Sequence, residues 1–191
     1  MRADGKLKVV RYKNDKSAHG LIMLPKEEPT ALTNWDHEID RGDFYVAYQN
    51  TGKLTSFDSK WPIEEFRGYA KDHRIFFDSR MELEGIKPFF FVEIERDTEV
   101  WETLQQKIIK YAGLADSMPQ NPFYVLFTVQ LTYSQSIQKK AAKLRALIEN
   151  HGRGKNFLMG PHSMVIADPL GKVWDDSRSD EPVSLLDLKT L

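Results

Sequence analysis

Glu93 and Glu95 stand two residues apart in the run Phe89-Phe90-Phe91-Val92-Glu93-Ile94-Glu95. In a strand, residues two apart share a face, so both carboxylates project together while Val92 and Ile94 point into the opposite layer. Neighbouring carboxylates repel, and the arrangement is tolerable where the strand end is solvated or where a cation lies between them. Asp78 ends the preceding apolar run Arg74-Ile75-Phe76-Phe77-Asp78, and a hairpin turning at 84–87 would bring it beside Glu93. Converging carboxylate oxygens form a hard site suited to Mg²⁺ or Mn²⁺. Such a site activates water and neutralises charge on a phosphodiester. From spacing alone, a set of ordinary solvated strand-end acids is the commoner outcome.

The helix expected after this strand shifts that balance. Val100, Leu104, Ile108 and Tyr111 form its apolar stripe, and Lys107 falls beside Leu104 and Tyr111 rather than on the wet face. A lysine on this edge can snorkel to solvent or reach the carboxylates. Near a phosphate it would orient the attacking water or stabilise charge in the transition state. Glu38 flanks the stripe Trp35, Ile39, Val46 of an earlier helix and is a candidate additional metal ligand; His37 falls on the far side of that helix.

The elements that must position these groups follow from periodicity and breakers. Apolar runs at 7–12 and 21–24 around a basic, Gly-containing turn predict a hairpin. Thr30 or Thr33 can cap a helix to about residue 49, with Trp35, Ile39, Gly42 and Val46 on its apolar face. Residues 50–72 read as a loop with a short helix at 63–69. Strands are expected at 74–78 and 89–95, then a helix capped by Asp97 or Thr98 and running to about 115. The apolar run 123–131 fits a strand buried on both faces. A second amphipathic helix spans about 135–150, with Ile137, Ala141, Leu144 and Ile148 inward, and short strands near Phe157 and Val165 precede an Asp- and Ser-rich tail. The alternation predicts an α/β domain with a mixed central sheet flanked by helices. The expected division is an N-terminal hairpin at 1–30 and the α/β domain at 31–191.

Composition narrows the choice. The chain has 191 residues with 27 Lys+Arg against 28 Asp+Glu, a net charge of −1, and no cysteine. Thiolate metal sites, disulfides and cysteine nucleophiles are excluded, so a metal would be held by carboxylates, His or carbonyls. No strongly basic field marks a nucleic-acid partner, and contact with DNA would come from local patches. No apolar run approaches the ~18 residues of a membrane span, and the first residues lack a signal-peptide core, so a cytoplasmic protein without membrane contact is expected. The five histidines show no zinc spacing, and no nucleophile elbow occurs. Gly152-Arg153-Gly154-Lys155 lacks the spacing of a phosphate loop and reads as a basic turn.

Taken together, His37-Glu38-Ile39, Asp43-Phe44-Tyr45-Val46, Phe77-Asp78 and Phe90 to Thr98-Glu99, with Lys107 and Tyr111 downstream, resemble the replication-relaxation family of plasmids and mobile elements, part of the PD-(D/E)xK nuclease-like superfamily. The resemblance runs from about residue 36 to 175, and the Glu-x-Glu-Arg-x-Thr-Glu segment is its specific part. It implies a nuclease-like domain at 31–191, with 1–30 a hairpin or winged-helix remnant, and a restriction-endonuclease-like core in which Asp78 and Glu93 hold a divalent metal, with the Ile94 carbonyl assisting. The superfamily usually carries Lys two residues after the second acid. This chain has Glu95 there, and Lys107 on the helix would substitute, with Arg96 also at hand.

The expected activity is that of a Mg²⁺- or Mn²⁺-dependent DNA endonuclease or nickase, with Glu95 as a further ligand or a base for water. Lys139, Lys140, Lys143 and Arg145 form a helix face that would contact a DNA backbone, although such a row is most often only solvated. The competing expectation is a DNA-binding replication-accessory or regulatory protein that keeps the fold without cutting, which Glu95 in place of Lys favours. A homodimer would suit double-strand cutting, whereas nicking needs one site. The length holds a nuclease-like core and a hairpin but little more.

Overall fold

The computed structural model describes residues 8–11, 20–23, 35–58, 75, 77–96, 100–130, 137–151 and 156–188, apart from the side chains of residues 8–11 and 20–23 and of Trp35, Ile137, Gln138 and Lys140. Two compact units divide the chain, Met1–Ile39 and Asp40–Leu191. In the first, β1 (Lys8–Arg11) pairs antiparallel with β2 (Gly20–Met23), the hairpin expected from the sequence. Helix α1 (Trp35–Asn50) begins in the first unit and continues into the second.

The second unit is built on a six-stranded mixed sheet in the order β3 (Leu54–Asp58), β4 (Ser79–Leu83), β5 (Phe89–Glu95), β6 (Phe123–Val129), β7 (Phe157–Pro161), β8 (Asp175–Asp176). β3, β4 and β5 form an antiparallel meander, and the turn into β5 needs Gly85, whose φ of +78° suits glycine best. β5, β6 and β7 are parallel, joined by α2 (Trp101–Ser117) and α3 (Ile137–His151), and β8 returns antiparallel. Every residue of β5 and β6 is buried, as central parallel strands covered on both faces require.

Strand alternation sorts the core into two layers. Phe89 and Phe91, with Phe123, Val125 and Phe127, pack under Leu104, Ile108 and Tyr111 of α2 and Leu144 and Ile148 of α3. Phe90, Val92 and Ile94, with Tyr124 and Leu126, pack under Phe44 and Tyr48 of α1, Val165 of α4 (His162–Ala167) and Trp174. Close approach on this second face depends on Gly160: a Cβ there would lie 2.9 Å from Val165 Cγ2 and 3.2 Å from the Trp174 ring.

Several expected elements shift. Residues 54–58 form β3 rather than loop, while the short helix at 63–69 lies outside the described residues. The strand expected at 74–78 begins later, at Ser79, where Ser79, Met81 and Leu83 are buried and Arg80 and Glu82 half-buried. That alternation is the ordinary mark of a strand, and the aromatic pair before it drew the reading too early. α2 starts after Val100, which is 62% exposed and makes no side-chain cap; Asp97 and Thr98, like Thr30 and Thr33, lie outside the described residues. Val165 belongs to a helix rather than a strand. α1 is rotated from its expected phase: Asp40, Phe44, Ala47 and Tyr48 are buried, whereas Ile39 and Val46 are exposed. Two aromatic rings bury more apolar surface than Ile39 and Val46, and they set the phase.

Candidate functional site

β5 is the spine of the site. Its alternation turns Phe89, Phe91, Glu93 and Glu95 toward α2, and Glu93 therefore ends with its side chain 2% exposed among apolar neighbours. Two donors on α2, one turn apart, meet it there. Lys107 Nζ lies 2.8 Å from Glu93 Oε2, and the Tyr111 hydroxyl donates to Oε1 at 2.5 Å. Positions four apart on a helix stack on one face, so a single helix delivers both donors to one carboxylate.

Asp78 approaches from the other side. Its main-chain N–H donates to Val92 O at 3.2 Å, and its Oδ2 accepts from Ile94 N–H at 2.7 Å. These two bonds bracket residue 93 and hold a second acid against the same stretch of β5. Burial pushes the Glu93 carboxyl up to about 7; Lys107 and the hydrogen bonds from Lys107 and Tyr111 pull it down, and the Asp78 charge pushes it further up. The attraction of one lysine does not outweigh burial plus a neighbouring acid. Glu93 thus exchanges its proton near neutral pH, and binding of a cation there would release that proton.

The structure brings Asp78, Glu93 and Lys107 together, and Glu95, buried at 5%, ends the same strand on the same face. Glu38 is half-buried in the first turn of α1 and belongs to the other unit. The α1 acid at the exits of β5 and β6 is Asp40. Arg96 Nη1 lies 2.7 Å from Asp40 Oδ2, and the Gln130 amide, oriented by its surroundings so that its nitrogen faces the acid, reaches Oδ1 at 2.8 Å and Oδ2 at 2.6 Å. Asp40 escaped sequence reading because the expected helix phase put Ile39 inward. Tyr111 was legible only as core; its position one turn after Lys107 was the usable signal.

On α3, Lys139 and Lys143 are exposed, and the Lys143 ammonium stands 4.0 Å from the centre of the Trp101 ring. Arg145 is ion-paired to Asp175, and the Lys140 side chain lies outside the described residues, as do Gly152-Arg153-Gly154-Lys155.

A hard divalent cation is a reasonable guest for part of this set. Among the described residues no group of three His, Asp or Glu converges on one point. Mg²⁺, however, is commonly held by one or two carboxylates with water and substrate phosphate completing the shell. Asp78 and Glu93 are two such carboxylates, and both Glu93 oxygens already accept hydrogen bonds, from Lys107 and Tyr111, so a cation would have to displace one of these donors. Among the described residues, no helix is long and apolar enough to cross a membrane. Comparison with protein-family models, curated proteins and solved structures finds no match for this chain.

Proposed function

We propose that this protein hydrolyses phosphodiester bonds in DNA with the help of Mg²⁺ or Mn²⁺, as an endonuclease or nickase, in the plasmid or mobile-element replication setting that its sequence resemblance implies. The observation that carries the reading is the buried Glu93 held between Lys107, Tyr111 and Asp78, with its carboxyl poised near neutrality. A structural acid in an apolar layer gains little from a second acid strapped beside it, whereas a metal and phosphate site needs both. When bound, the cation would supply Lewis acidity at the phosphate and a water of lowered pKa.

The chain's own groups account for the remaining tasks. Asp78 and Glu93 would hold the cation. Glu95, next on the same face, would be a further ligand or take the proton of the attacking water as oxygen bonds to phosphorus and the bond to the leaving oxygen breaks. Lys107 would stabilise charge on the phosphate in the transition state, a role for which its ammonium already lies within reach of the acid cluster. Lys139 and Lys143 would contact the DNA backbone, an interaction that weakens with salt.

Supercoiled plasmid incubated with the protein in Mg²⁺ or Mn²⁺ should yield nicked or linear DNA. EDTA should abolish the product, Asp78→Ala should reduce it to the EDTA background, and Lys107→Ala should slow it by about 100-fold or more. A second reading, a DNA-binding accessory protein without cutting activity, is favoured by Glu95 at the position where the resembled superfamily carries Lys and by the engagement of both Glu93 oxygens. It predicts a gel shift of DNA with no cleavage at any metal concentration.

A further inference from the structure

The exits of β5 and β6 carry a second buried polar group that the acid cluster does not use. Asp40, Arg96 and Gln130 come from three elements, α1, the residue after β5 and the residue after β6. The Asp40 side chain is 8% exposed and that of Arg96 16%. Gln130 acts twice: its side chain donates to Asp40, and its main-chain N–H donates to Glu95 O at 2.8 Å. Arg96 follows Glu95 directly, so one acid on α1 grips the chain on both sides of the last β5–β6 hydrogen bond.

We propose that Asp40, Arg96 and Gln130 are positioning residues, a clamp that fixes the exit of β5 and thereby the direction in which Glu95 projects beside Glu93. Strand ends fray because their last hydrogen bonds are the easiest to open. A carboxylate that must stand in register with a neighbour on the same strand needs that end held, and a few tenths of an ångström matter at a reacting phosphate. A buried ion pair is a costly way to add stability, since apolar side chains of similar volume often do as well; its use here is the fixed geometry it imposes. The catalytic consequence of the clamp rests on the hydrolytic reading above, but its mechanical effect does not.

The test compares the full-length wild type with the paired variant Asp40→Leu/Arg96→Met and with Gln130→Leu, by amide hydrogen exchange and by plasmid cleavage in Mg²⁺. The paired variant removes both charges, and such replacements are commonly neutral or stabilising, so the fold should persist. The clamp predicts that the residue-130 amide exchanges about tenfold faster in the paired variant, the factor that losing about one hydrogen bond gives. The Leu126 amide in the middle of β6 should exchange as in the wild type. The clamp also predicts that kcat for cleavage falls about tenfold while KM for DNA is unchanged. Gln130→Leu, which keeps the ion pair and so answers the question even if the paired variant fails to fold, should loosen the same amide to a lesser degree. Residue-130 exchange at the wild-type rate in the folded variants overturns the clamp. If the wild type cuts no DNA, the hydrolytic reading falls, and the exchange comparison alone decides for or against the clamp.

Discussion

Two buried acids lie on opposite faces of the sheet near the end of β5, and the two are treated differently. Asp40, on the α1 side, meets a guanidinium and an amide. Glu93, on the α2 side, meets an ammonium and a phenol but also a second acid, Asp78, whose main-chain N–H donates to Val92 O and whose carboxylate accepts from Ile94 N–H. Arginine keeps its charge in a protein and fits a carboxylate with a planar fork, which makes the first pair a geometric device. Lysine is a compact point charge, and in the second cluster its attraction for Glu93 is outweighed by burial together with the Asp78 charge. The contrast separates an ion pair beside the exit of β5 from an acid whose burial and neighbouring charge raise its carboxyl toward neutrality.

Breaking one partner in each cluster should expose this difference. Asp40→Ala removes the carboxylate that Arg96 and Gln130 meet, so it should cost about 3–5 kcal/mol of stability in denaturant melts. The Glu93 side should respond to pH instead. Its carboxyl is raised in the folded state from 4.5 to about 7, so the folded protein retains a proton that the unfolded chain has lost. The contribution of the neutral acid is fully present below about pH 4.5 and is lost as pH rises through 7. Relative to Glu93→Gln, wild-type stability should therefore fall by roughly 3 kcal/mol between those limits, at about 1.4 kcal/mol per pH unit. Parallel stability curves for the two proteins would show that Glu93 does not titrate in this way.

Smaller effects refine the same contrast. Lys107→Ala should destabilise by about 1–2 kcal/mol at pH 8, where Glu93 would lose its cation, and by less at pH 5, where it holds a proton. A cost independent of pH would place Lys107 in a packing role. Tyr111→Phe removes one donor to Glu93, should cost about 1 kcal/mol, and should move the acid limb of the cleavage profile to higher pH.

How much of this was legible in the sequence follows from what each signal depends on. β5 and β6 are nearly unbroken apolar and aromatic runs, and with α2 and α3 between and after them they specified a mixed α/β sheet. The shared face of Glu93 and Glu95 required only the period of a strand, and the reach of Lys107 only that of a helix. Asp78 lay beside Glu93 as the hairpin argument expected, although β4 starts after it rather than ending at it. The misreadings have a common cause. α1 carries apolar residues all round, and its phase was decided by Phe44 and Tyr48 packing against the sheet, which periodicity cannot weigh. The clamp went unseen for the same reason, since Asp40 faces inward only in the phase that those rings impose. Gln130, polar at the end of an apolar run, gave no local sign of its partner 90 positions earlier in a chain that brings them together only through tertiary folding.

The central claim is that Glu93 belongs to a metal-dependent hydrolytic site, and cleavage of supercoiled plasmid by wild type and Glu93→Gln, in saturating Mg²⁺ from pH 5.5 to 8.5, tests it most directly. Metal-dependent nicking by the wild type that EDTA stops and that Glu93→Gln lacks at every pH is the predicted result. Equal cleavage by the two proteins, or DNA that is bound but never cut by either, would contradict it.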